Sequence, residues 1–182
     1  MVQETQTSFR KKLVLATWDN FIEELLQEQR PDYDNYFMMI TDVIGLRATC
    51  NRGKSGSILV KDNKIIATGY VGSPPGLPHC DKAGHLMETV IHEDGLQSDH
   101  CVRTLHAEEN AILQCAEFGI SAKGATLYCK MVPCFRCAMK ISRVGIIKVI
   151  AKKRYHVDKR TINMFNEKKI ELVVLNDEVE EY

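Results

Sequence analysis

The sequence predicts an α/β fold, a three-layer α/β/α sandwich around a mixed sheet of about five strands. Three observations carry this expectation. Short β-rich runs alternate with helical patterns between residues 57 and 175, in the order β-β-α-β-α-β-α-β. The first two runs flank a turn at Asp62-Asn63, so the sheet begins with an antiparallel pair. Histidine and cysteine residues directly precede or open two of the helical stretches, which gathers them where helix N-termini converge.

Taken in order, residues 8–29 place Leu13, Leu15, Trp18, Phe21, Ile22, Leu25 and Leu26 on roughly one helical stripe. This predicts an appended N-terminal helix over residues 1–30, packing on the domain or on another subunit. Pro31 punctuates the chain, and residues 31–182 form the main domain. Helical spacing runs through residues 33–49, followed by strands at 57–61 and 64–69. Residues 70–105 are rich in Gly and Pro and read as irregular; a connection this long is usually functional or held by a ligand. An amphipathic helix at 106–118 ends at Gly119. Then come a strand at 125–130, a helix at 133–144, a strand at 147–151, a helix at 158–166 and a strand at 170–175. Residues 177–182 are acidic and read as a solvated tail.

With 182 residues the chain can bury a substantial core without disulfide staples. Lys+Arg and Asp+Glu both number 24, so no broad basic surface for nucleic acid is expected. The first residues lack a charged-then-apolar signal pattern, and no apolar run approaches membrane-spanning length. Seven cysteines in such a chain point to a reducing cytoplasm, with thiols serving as metal ligands or core residues. Cys115 and Cys129 fall inside a helix and a strand and are expected in the core.

The chemistry concentrates in His106-Ala107-Glu108 and, further on, Pro133-Cys134-Phe135-Arg136-Cys137. Cys134 and Cys137 are three apart, so on a helix they share a face, and Pro133 suits a first helical position. Glu108, two past His106, faces the same ion only if that ion sits beyond the helix's first turn. The expectation is a zinc ion held by His106, Cys134 and Cys137, with the fourth position open to water as in catalytic sites. A Cys-x-x-Cys alone would equally suit a redox pair or half of a structural site. The upstream His-x-Glu and the Pro before the first Cys favour the catalytic reading.

His-x-Glu followed by Pro-Cys-x-x-Cys is the signature of zinc-dependent nucleobase deaminases. The chain resembles the cytidine deaminase superfamily, and more closely its deoxycytidylate (dCMP) deaminase branch. The resemblance covers residues 31–157 in five blocks, RPDYDNYFMMI, GYVGSPPGLPHC, HCVRTLHAEENAI, GATLYCKMVPCFRC and GIIKVIAKKRY. It implies a cytidine deaminase-like fold and hydrolysis of dCMP to dUMP and ammonia, with Glu108 carrying protons. It implies that backbone around Ala107 holds the pyrimidine edge and that Asn110 lies near the sugar. Tyr155 could stack on the base, or be an ordinary half-buried Tyr. Arg52, Lys54 and Ser73 are candidate donors to a 5′-phosphate, with solvated surface charge the alternative for either cation.

Members of this branch can also carry a second, structural zinc, for which the preferred set is Cys50, Cys80, His85 and Cys101, with His100 as replacement. The alternative is a group of unrelated loop residues. The resemblance further implies a homo-oligomer and dCTP and dTTP as effectors, neither of which follows from the residues themselves. One departure stands out: Val71 occupies a position where the family commonly has Asn, which bears on nucleotide identity rather than on deamination. The competing functions are nucleoside, guanine or tRNA adenosine deamination, or a zinc-binding module without turnover.

Overall fold

A computed structural model describes residues 30–91 and 97–180, and the chain divides into two units, Met1–Asp32 and Tyr33–Tyr182. The helix expected over residues 8–29 lies outside the described residues. In the second unit the elements run α1 (Tyr33–Gly45), β1 (Gly56–Lys61), β2 (Lys64–Tyr70), α2 (Cys80–Ala83), β3 (Met87–Ile91), β4 (Gln97–Cys101) and α3 (Ala107–Glu117). They continue as β5 (Thr126–Met131), α4 (Phe135–Arg143), β6 (Lys148–Tyr155), α5 (Lys159–Lys168), β7 (Glu171–Val174) and β8 (Val179–Glu180).

Asp62 and Asn63 hold φ of 51° and 57°, the paired left-handed conformations that match a two-residue hairpin to strand twist. They join β1 and β2 antiparallel, and β1 pairs antiparallel with β5 on its other edge. From there the sheet is parallel, β5 to β6 to β7, giving the order β2-β1-β5-β6-β7. The expected mixed α/β/α sandwich is what forms.

Period-two alternation assigns the layers. Ile58, Val60, Tyr128 and Ile150 point to one face, where Phe37 and Met38 of α1 cover them. Leu59, Leu127, Cys129, Val149 and Ala151 point to the other, under Ala111, Ile112 and Cys115 of α3, Ala138 and Ile141 of α4, and Phe165 of α5. Gly56 lets α1 lie close on the first face; a Cβ there would stand 2.1 Å from the Thr41 carbonyl oxygen.

Two expectations are corrected. The segment 70–105 is not wholly irregular: it contains the one-turn helix α2 and the hairpin β3–β4, a separate two-stranded sheet. All five residues of β3 are exposed, so no buried face imprints an alternating pattern on the sequence. Residues 177–180 are not a solvated tail either, because Val179 and Glu180 pair in parallel with Arg154 and Tyr155 of β6.

Candidate metal centre

Two helices begin with residues that do not cap them. His106 (φ −69°, ψ 157°) and Cys134 (φ −61°, ψ 159°) are the N-cap residues of α3 and α4, and neither side chain makes a capping hydrogen bond. Extended backbone is usual at an N-cap and aims the side chain over the helix end. Helix α4 therefore starts at Phe135, two residues later than the position that Pro133 marks in the sequence; Pro133 is instead fully buried before the cap.

Glycine and hydrogen bonds set the two ends beside each other. A Cβ on Gly69 of β2 would stand 2.2 Å from the Ala107 carbonyl oxygen, so only glycine admits the first turn of α3 at this depth. Asn110 Nδ2 donates to the Tyr70 carbonyl (2.7 Å), and the Thr68 amide donates to Gln114 Oε1 (2.8 Å). At the other end, buried Thr161 Oγ1 donates to the Pro133 carbonyl (2.9 Å). Lys140 of α4 pairs with Glu109 of α3 across the gap.

Between these ends His106 Nδ1 lies 3.5 Å from Cys134 Sγ and 3.5 Å from Cys137 Sγ. Tetrahedral zinc, about 2.3 Å from sulfur and about 2.05 Å from nitrogen, would set N and S roughly 3.6 Å apart. The donor set and its spacing fit that ion. A hydrogen bond from Cys137 holds the Cys134 thiol down to about 4, and a hydrogen bond with Cys134 holds His106 up to about 9. A dication would displace the shared protons.

Glu108, only 5% exposed, stands beside this trio but outside the group of converging donors. Burial raises its carboxyl pKa above the ordinary value, against the pull of His106. Tyr155 is 7% exposed, and burial together with Cys134 and Glu108 pushes its phenol up to about 12. It is a neutral hydroxyl at physiological pH.

His106, Glu108, Cys134 and Tyr155 line one cleft of about 690 Å³, within the range of small-molecule sites. Ala107, Arg52, Val71, His100 and Tyr155 are on its wall. Arg52 reaches across to donate to the Asp99 carbonyl (2.9 Å), and His100 Nε2 lies 2.7 Å from Ser98 Oγ. The cleft wall does not include Asn110, Ser73 or Lys54. Asn110 braces the β2 turn instead, and Ser73 donates to the Pro78 carbonyl (2.8 Å). Cleft residues that sequence reasoning missed include Ser98, Thr104, His156, Val179 and Glu180. Ser98 lies on the unanticipated hairpin, Thr104 in the bend that follows it, and the last two on β8; no sequence signal marks His156.

A second set of donors also converges. Cys50, Cys80, His85 and Cys101 bring their ligand atoms within 4.8 Å of one another, with Cys50 Sγ 3.6 Å from His85 Nδ1 and Cys80 Sγ 3.5 Å from Cys101 Sγ. Three cysteines and a histidine make a closed tetrahedral donor set. His100 belongs to the cleft and not to this cluster. Against the effect of burial, hydrogen bonds from the Arg103 backbone and His85 bring Cys101 down to about 7. Cys115 and Cys129 are buried in the core, as expected.

The family model for the cytidine and deoxycytidylate deaminase zinc-binding region matches residues 31–153, and the chain belongs to this family. It is 34% identical over 143 residues to the deoxycytidylate deaminase of Schizosaccharomyces pombe, covering 79% of this chain and 44% of that one. It is 42% identical over 118 residues to ComE operon protein 2 of Bacillus subtilis, covering 65% of this chain and 58% of that one. The chain thus spans about half the length of these curated relatives. Among solved structures, the dCMP deaminase of cyanophage S-TIM5 in complex with dCMP and dUMP superposes with a TM-score of 0.63 at 27% identity. That match covers 84% of this chain and 100% of the phage protein.

Proposed function

We propose that this chain catalyses the hydrolytic deamination of dCMP to dUMP and ammonia. The observation that carries the reading is a buried carboxylate, Glu108, beside three converging metal donors in a cleft of nucleotide size. The similarity to a phage dCMP deaminase over that protein's whole length supports the choice of substrate.

His106, Cys134 and Cys137 would hold the catalytic zinc. Bound there, zinc lowers the pKa of a water to roughly 7 and makes hydroxide available at neutral pH. Glu108 does the proton work: it accepts a proton from the attacking water, delivers it to ring N3, and carries the next one to the amino group leaving C4. Its burial suits this, since a raised pKa lets one carboxyl both take and give a proton near neutrality. Ala107 at the first turn of α3 presents backbone to the pyrimidine edge, Tyr155 packs on the ring, and Arg52 offers the cation for the 5′-phosphate.

Cys50, Cys80, His85 and Cys101 would hold a second, structural zinc. Its work is local, since the segments it ties, 50–55 and 97–104, supply much of the cleft wall and are short of apolar core. Among the described residues no helix is long and apolar enough to cross a membrane. A homo-oligomer and regulation by dCTP or dTTP belong to the same proposal and rest on the family resemblance, and a cytoplasmic location rests on the seven cysteines.

Ammonia release from dCMP, CMP, deoxycytidine, dCTP and adenosine tests the reading. The expected result is turnover of dCMP above all others. Turnover of another nucleotide alone would overturn the substrate assignment and point to Val71, whose apolar side chain lines the cleft without a donor or acceptor.

A further inference from the structure

Beyond β7 the chain first follows β6, with the Leu175 and Asn176 amides donating to the Ala151 and Lys152 carbonyls (2.9 and 3.0 Å). It then rejoins β6 further along, where the Arg154 amide donates to the Glu178 carbonyl (2.8 Å) and Val179 and Glu180 align with Arg154 and Tyr155. A strand of two residues gains little from its own ladder, so something else must hold it. Glu180 supplies the hold: its carboxylate spans Lys130 Nζ of β5 (2.5 Å) and Lys153 Nζ of β6 (3.5 Å). Lys153 also pairs with Glu178 (3.2 Å). The Glu180 side chain is only 15% exposed, and Val179 and Glu180 form the cleft wall together with Tyr155 and His156.

We infer that Glu180 is a positioning residue of the nucleotide site, its carboxylate clamping β8 to Lys130 and Lys153 so that β8 walls the cleft beside Tyr155. Both carboxylate oxygens are engaged by lysines, so Glu180 acts through β8 and its neighbour Tyr155 rather than on the reacting atoms. Small displacements of a substrate-positioning wall are costly to binding. The inference rests on the deaminase reading, with Tyr155 against the base.

The test uses the full chain, with Glu180→Gln, Lys130→Met and the double variant, and measures kcat and KM for dCMP and the Kd of dUMP by calorimetry. Expected is a rise of about tenfold in KM and in the dUMP Kd for each single variant, the size of one lost charge-assisted hydrogen bond, with kcat nearly unchanged. The double variant should bind no worse than either single one, because both break the same clamp. In the wild type KM should rise more steeply with added salt than in Glu180→Gln. Wild type that binds dUMP alongside a Glu180→Gln variant that binds it equally well overturns this inference alone. A wild-type chain that neither binds nor turns over any pyrimidine nucleotide overturns the deaminase reading and this inference with it.

Discussion

At the residue scale the site depends on side chains released from their usual work. An N-cap residue ordinarily spends its side chain on the helix's free N–H groups, whereas His106 and Cys134 leave theirs to meet in front of both helices. Cys137, one turn into α4, completes the trio from below and is buried. Replacing Cys134 by Ser keeps the shape but removes the soft thiolate that zinc prefers. Zinc content, measured by plasma emission, should fall by about one ion per chain and ammonia release should fall with it. These residues were legible because their chemistry is written in adjacent positions, His106 with Glu108 and Cys134 with Cys137. The start of α4 was less legible: Pro133 fits an N1 position equally well, and only the extended Cys134 backbone shows that the helix begins at Phe135.

At the element scale the hairpin β3–β4 and the one-turn α2 lack the apolar face that holds other elements. In the proposed reading a zinc held by Cys50, Cys80, His85 and Cys101 substitutes for it. Cys101→Ala should lower zinc from about two ions per chain to about one, and amides of β3 and β4 should exchange faster with solvent. Because Glu108 and the other trio are untouched, kcat should hold while KM rises, since Arg52, Ser98 and His100 lie on the loosened segments. A contrasting effect is expected at the seam between β2 and α3. Gly69→Ala drives a methyl into the Ala107 carbonyl, and the urea midpoint should report a loss of about 1–3 kcal/mol. There kcat should fall too, because Ala107 and Glu108 move with the helix end. The hairpin and β8 escaped sequence reading for one reason: each is tied by polar or thiol side chains that meet from distant positions, which leave no periodic trace.

At the scale of the whole molecule the sheet is the reference frame. Its five principal strands were legible because a sheet covered on both faces writes short continuous apolar runs into its strands, as in Ile58-Leu59-Val60, Leu127-Tyr128 and Val149-Ile150. Helix α1 covers one face and α3, α4 and α5 the other, so the two metal-bearing helix ends are anchored in one core cluster with Phe165 and Ile141 at full burial. That anchoring suits the proton-carrying role proposed for Glu108, which requires a fixed place relative to the metal donors. The proposed mechanism makes Glu108 the proton carrier of a zinc-dependent deamination. It is tested most directly by measuring ammonia release from dCMP by wild type and Glu108→Gln at equal, verified zinc content. The expected result is a loss of kcat of at least about 10²-fold with zinc retained and KM little changed. Equal turnover by the two proteins at equal zinc would contradict the assignment of Glu108 and the mechanism built on it.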